Sequence, residues 1–219
     1  MALTIKNESN GGGYESLPVG QYKAACYRIV DVGTHNETYE GETSKRHSVF
    51  IYWETPDNKM SDGKPFSIMK QYTLSLNEKS ALFRDLCSWR KKKFTDEELK
   101  GFDLTNILGC TCEIEVELTS GGNPKVTAVY YPEGGVQKIA TVNEQLAFDV
   151  DEYAKDNKQM CDLFLELPEW VQNKVDESFE VVAANKAESQ KYEKKVSEDF
   201  SSLDSLANKS SVTEEDIPF

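Results

Sequence analysis

Residues 66–93 read FSIMKQYTLSLNEKSALFRDLCSWRKKK, and within them the apolar side chains change from alternate spacing to helical spacing. Phe66, Ile68, Tyr72 and Leu74 fall on one face of an extended segment, with Lys70 interrupting the row. Ala81, Leu82, Leu86 and Trp89 then recur as one face of a helix. Asn77 is the expected N-cap and Glu78 lies in the first turn. Arg90 to Lys93 close the helix with the charge that its C-terminus prefers. The expectation is one strand followed by one helix.

Upstream, the chain reads as strands. Gly20 to Asp31 is rich in β-branched and aromatic residues, and Gly33 is expected to close it. Thr34 to Ser44 reads as a polar loop. Arg46 to Glu54 alternates, with Val49, Ile51 and Trp53 on one side and Phe50 and Tyr52 on the other; Trp53 is assigned to the core. Thr55-Pro-Asp-Asn-Lys59 and Ser61-Asp-Gly-Lys-Pro65 bracket a hairpin connection. Downstream, Thr95 to Glu98 has the form of a capping box that opens a short helix, stopped by Gly101. Cys110 to Leu118 and Lys125 to Tyr131 supply two more strands around the turn Ser120-Gly-Gly-Asn-Pro124. The order β-β-β-α-β-β is that of the OB-fold, a five-stranded Greek-key barrel with a helix between its third and fourth strands. A small sandwich, or an open sheet with one helix, shares that order. The expected fold class is mainly β, with the OB domain over residues 17–132.

The flanks differ in character. Residues 1–16, with Gly11-Gly12-Gly13, read as a flexible leader. Residues 133–182 read as a partly ordered extension, in which Pro168 to Val182 has helical spacing at Trp170, Val171, Val175 and Phe179. That helix is expected to pack on the barrel or to pair with another subunit. Residues 183–219 read as a disordered acidic tail, with a transient helix around Ala187 to Val196. The net charge of −13 follows the same division. Residues 1–132 hold 16 Lys and Arg against 18 Asp and Glu, whereas residues 133–219 hold 9 against 20. The body is near neutral, and a basic groove remains available to it because binding responds to local potential.

The composition also narrows the chemistry. No run of 18 apolar residues provides a membrane span, and the start lacks the layout of a secretory signal. Five cysteines (Cys26, Cys87, Cys110, Cys112 and Cys161) and two histidines (His35 and His47) form no metal-binding spacing; the thiols are expected to be reduced. No phosphate-binding loop and no nucleophile–base signature is present, so no catalytic residue, metal or cofactor is expected. Asp57 and Asp62, which a Mg²⁺-dependent nuclease would need, sit where turns favour Asp anyway.

Two constellations remain. Binding single strands without sequence preference needs rings for bases to stack on and cations along the phosphate path. The candidate cations are Arg28, Lys45, Arg46, Lys59, Lys64 and Lys70, and the candidate rings are Tyr27, Tyr39, Phe50, Tyr52, Phe66 and Tyr72. Lys70 and Tyr72 share a face of the third strand, and a lysine amid apolar neighbours points to an open patch there. Arg90-Lys-Lys-Lys93 extends the DNA path, binds the acidic tail, or is a solvated helix end. The second constellation is Glu214-Glu-Asp-Ile-Pro-Phe219, which couples carboxylates to an apolar plug. Such a peptide suits a pocket that accepts a ring within a basic rim, and Pro218 lowers the entropic cost of docking.

Asp216-Ile217-Pro218-Phe219, preceded by acids, resembles the C-terminal tip of bacterial single-stranded DNA-binding proteins. Glu214 and Glu215 stand where that family has more of an aspartate run, and the preceding linker is rich in Lys and Glu instead of Gly, Gln and Pro. The body is similar to phage-encoded single-stranded DNA-binding proteins in the stretches GQYKAACYRIVDVGT, VFIYWETPD, YTLSLNEKSALFRDLCSWR and FTDEELKGFDLTNILG. The resemblance implies a protein that coats single-stranded DNA during viral replication and recombination, in the cytoplasm of an infected bacterium. It also implies recruitment of replication, recombination and repair proteins through the tip, and a tip that folds back to compete with DNA. A homo-oligomer is a further expectation, and a membrane partner is not. The competing readings are an adaptor or decoy that sequesters host proteins through the tip, and a strand-annealing recombination mediator.

Overall fold

The computed structural model describes residues 15–39, 41–191 and 193. The leader before residue 15 and the segment Glu214–Phe219 therefore lie outside the described residues. The strands are β1 (Gly20–Tyr39), β2 (Glu42–Lys59), β3 (Pro65–Thr73), β4 (Thr111–Leu118), β5 (Pro124–Tyr130) and β6 (Leu146–Phe148). Contacts divide the chain into two compact units. One joins Met1–Asp31 to Arg46–Phe148, and the other joins Val32–Lys45 to Asp149–Phe219.

In the first unit the sheet runs β3-β2-β1-β4-β5, with antiparallel pairing of β2 with β3, β1 with β4 and β4 with β5. β6 adds a sixth strand, pairing parallel to β1 at Arg28–Val30. The sequence predicted five strands in a closed barrel. Among the described residues no ladder joins β3 to β5, so the hydrogen-bonded sheet is open. Its two end strands nonetheless lie near one another, and helix α1 (Ala81–Arg90) packs against both. The core lies between sheet and helix. Ala24, Cys26, Val49, Ile51, Trp53, Ile68, Tyr72, Cys112, Ile114, Val116, Val126 and Val129 meet Leu82, Leu86 and Trp89 there. Trp53 is in this core as expected, tilted against Trp89 with ring centroids 6.3 Å apart.

The helix begins three residues later than the sequence suggested. Ser80 is the N-cap, its hydroxyl accepting from Phe83 N, while Asn77 closes the preceding turn by accepting from Lys79 N. The capping box at Thr95 and Glu98 forms as read, opening α2 (Asp96–Lys100). After β5 the chain returns across the sheet. Gln137 and Ile139 bond with Thr111 and Gly109, and Val142 N, Asn143 N and Asn143 Nδ2 all donate to the buried Glu54 carboxylate at 2.7–2.8 Å. All five cysteines are free, and burial pushes the thiols of Cys26 and Cys112 far up.

In the second unit, Val32–Lys45 is the far end of the β1–β2 hairpin and not the polar loop read from sequence. Gly33 does not end β1. It sits inside the strand at φ +77°, where an added Cβ would lie 2.6 Å from Ser178 Cβ. Only glycine allows that approach at that dihedral. Next to it, Thr34 donates from N and Oγ1 to the two carboxylate oxygens of Glu180, at 2.8 and 2.6 Å. The helices are α3 (Val150–Tyr153), α4 (Lys158–Leu165) and α5 (Glu169–Asp176), followed by helical residues 179–191. The single helix expected over Pro168–Val182 is thus two, because buried Ser178 breaks it and accepts from Val181 N.

Candidate nucleic-acid interface

The structure separates the sequence candidates into an interior set and a surface set. Tyr72 belongs to the interior and Lys70 is half-buried and paired beside it, which corrects the reading of an open patch on β3. Tyr72 is 2% exposed and its hydroxyl donates to Asp85 Oδ2 at 2.6 Å. Lys70 Nζ donates to the same Asp85 oxygen at 2.7 Å and to Thr127 O on β5 at 3.0 Å. Burial, followed by the Asp85 charge, holds the Tyr72 phenol well above its ordinary range. These three side chains therefore tie β3 to α1 and β5. A lysine among apolar neighbours is tolerated here because its charge is paired and its N–H groups are used. A signal for this existed in the sequence. Asp85 lies three residues after Leu82 and four before Trp89, on the apolar stripe of α1, where an acid needs a partner.

Phe50 and Tyr52 are buried as well, on the face of β2 opposite Trp53. Tyr27 and Tyr52 sit with ring centroids 6.1 Å apart at 59°, and Tyr27 shares a hydrogen bond of 2.6 Å with Ser67 Oγ. Arg28 Cζ lies 5.7 Å from the Tyr27 ring centroid. Tyr52 is 9% exposed and its buried hydroxyl has no hydrogen-bond partner among the described residues; the same holds for Arg28 Nε. Burial pushes the Tyr52 phenol up to about 12, with Tyr27 adding to the shift and Arg28 opposing it. Phe66 is half-buried against the core, and the Tyr39 side chain lies outside the described residues. The candidate rings with described side chains thus face inward, since the β2 run Val49–Trp53 is covered on both sides.

The surface set consists of cations. Arg46 and Lys59 are exposed on β2. Lys64 is exposed in the β2–β3 turn, 3.8 Å from Asp62 Oδ2. In the second unit, Lys45 holds its Nζ 4.3 Å from the ring centroid of Phe179, and that ring is itself exposed. Sequence reasoning missed this pair, because its members are far apart in the chain. It also missed Tyr131, an exposed ring with Lys91 Nζ 5.4 Å from its centroid, and the buried Glu54.

Among the described residues no group of three or more His, Cys, Asp or Glu could hold a metal ion. No described helix is long and apolar enough to cross a membrane. Compared with family models, with curated proteins and with solved structures, the chain finds no match in any of the three.

Proposed function

We propose that this chain is a single-stranded DNA-binding protein built on an OB-type barrel that stays partly open between β3 and β5. In this reading it coats viral DNA during replication and recombination, and Asp216–Phe219 recruits replication, recombination and repair proteins. The observation that carries the reading is the strand order β3-β2-β1-β4-β5, with α1 between β3 and β4 in sequence and against β3 and β5 in space. That is the order of OB barrels, which take oligonucleotides on the face of strands two and three and on the adjoining loops. Arg46, Lys59 and Lys64 lie on β2 and the β2–β3 turn, where that face is expected. With the rings turned inward, the contacts are mainly to phosphate, so affinity depends steeply on salt. Three or four phosphate contacts give a log–log slope of about −2 to −3 for single strands.

A second reading, an adaptor that works through Glu214–Phe219 alone, draws support from the burial of Phe50, Tyr52 and Tyr72, which leaves β2 and β3 few platforms for bases. One experiment separates the two. Full-length protein is titrated into labelled oligo(dT) of about 30 nucleotides, longer than the roughly 4–16 nucleotides of one OB site. Anisotropy is followed across a salt series with duplex as competitor. Saturable binding with the stated slope, undisturbed by duplex, is expected. Absence of binding at low salt would discard the coating role and leave the adaptor.

A further inference from the structure

Beside the C-terminal end of α1 lies a cavity of about 220 Å³. Its walls are apolar at Trp89, Phe102, Ile107 and Val136, and Arg90, Asn106 and Cys110 complete the lining. Trp89 Nε1 is already committed to Thr111 O at 2.7 Å, so it offers nothing to a ligand. The Arg90 guanidinium is held in place. Its carbon lies 4.6 Å from the Phe94 ring centroid and 5.0 Å from that of Phe102, and its Nη2 donates to Glu98. Its other amino group, Nη1, is buried and has no acceptor among the described residues. Lys92 shares the same Glu98 oxygen with Arg90, so one carboxylate faces two cations at the edge of the cavity, and that excess of positive charge favours an incoming carboxylate.

Directly after Arg90 come Lys91, Lys92 and Lys93, all exposed; Lys92 lies 3.6 Å from Glu98. The site therefore combines an apolar cavity, a clamped arginine and a basic rim. A nucleobase is a poor fit, because its polar edge would meet mainly carbon walls. An apolar plug joined to carboxylates is a good fit. An apolar cavity of about 150 Å³ already accepts a benzene ring.

We propose that this cavity takes Ile217–Phe219 of a second copy of this chain, with Glu214, Glu215 and Asp216 of that copy lying along Lys91–Lys93 and Arg90. With Glu98 already against Arg90 and Lys92, three incoming carboxylates bring the rim to four acids against four cations, and the apolar residues follow the acids directly, as the cavity's position beside its basic rim requires. Each copy carries both halves of the contact. The contact is therefore head-to-tail, and it propagates from copy to copy unless a ring closes. Neighbouring molecules on one DNA strand would be linked through it, and the DNA path along Arg46, Lys59 and Lys64 would stay free. The proposal rests on the docking-peptide part of the proposed function and not on DNA binding.

The test uses the full chain carrying Phe219→Ala, which cannot supply the plug, and a labelled peptide of residues 213–219. Saturable binding is expected, weakened roughly tenfold or more when Val136→Asp is added, since a carboxylate then faces the plug. Val136 is 38% exposed, so this substitution spares the fold, which circular dichroism and unchanged oligo(dT) affinity would verify. Arg90→Lys should weaken the peptide as well, because a point charge replaces the fork. In sedimentation velocity the unaltered chain should associate with rising concentration, and Phe219→Ala or Val136→Asp should each abolish this. No peptide binding, binding indifferent to Val136→Asp, displacement of peptide by oligo(dT), or a chain that stays monomeric would each overturn the proposal. The last outcome would do so even if the peptide bound. Loss of DNA binding alone would instead count against the coating role.

Discussion

Lys70 and Lys45 each lie beside an aromatic ring, at 5.0 Å from Tyr72 and 4.3 Å from Phe179, yet the two pairs serve opposite ends. Lys70 is half-buried, shared between Asp85 and a backbone carbonyl, and its ring is shut off from solvent. Lys45 is exposed over an exposed ring. A cation against a ring therefore does not define a binding surface. What decides is whether a carboxylate on a neighbouring element already claims the cation. In β3 the helix supplies that carboxylate, and the pair becomes part of the seam that joins the two ends of the sheet.

The comparison breaks most visibly at Asp85. Asp85→Ala removes the acceptor shared by the half-buried Lys70 ammonium and the buried Tyr72 hydroxyl, and should cost about 3 kcal/mol in chemical denaturation. A loss below about 1 kcal/mol would mean that the β3 pair is as open as the Lys45 pair. Next in size is the surface side. Lys59→Ala should weaken oligo(dT) binding a few-fold and reduce the magnitude of the salt slope by about 0.7, while stability changes by no more than about 1 kcal/mol. An unchanged slope would remove Lys59 from the DNA path. The smallest effect belongs to Tyr52→Phe, which deletes a buried hydroxyl that has no partner among the described residues and should leave stability near neutral pH equal or up to about 1 kcal/mol higher. The folded phenol titrates above the unfolded one. Tyr52 therefore contributes a loss of stability as pH rises from about 10 to about 12, and the substitution should remove that part. Denaturation midpoints across this range, for both proteins, check it.

Much of the fold was legible because its core follows simple periods. Val49, Ile51 and Trp53 alternate, Leu82, Leu86 and Trp89 recur as a helical stripe, and the structure puts both sets in one core. The far halves of β1 and β2 were illegible because Thr34 to Ser44 carries no apolar alternation. Polar contacts hold it instead, among them the Glu180 carboxylate that accepts two hydrogen bonds from Thr34. β6 was missed for a related reason. Its three residues are too few to show a period, and the return of the chain over β2 is anchored by Glu54, an acid that reads as solvent-facing in sequence. The rings of the candidate site were misread on Phe50 and Tyr52 because alternation assigns faces, but cannot tell that both faces are covered.

The two hydrogen bonds from Thr34 to Glu180 also carry a consequence for how the molecule is made. They span 146 residues, so a ribosome that has just released Thr34 must still synthesise most of the chain before the partner exists. At about 5–20 residues per second that interval is about 7–30 s. Through it the hairpin end, Gly33 included, must wait without its Glu180 partner while the sheet of the first unit is free to form. The second unit is thus the last to acquire its long-range contacts, and a nascent chain arrested before Glu180 would display a finished sheet with an unfinished hairpin.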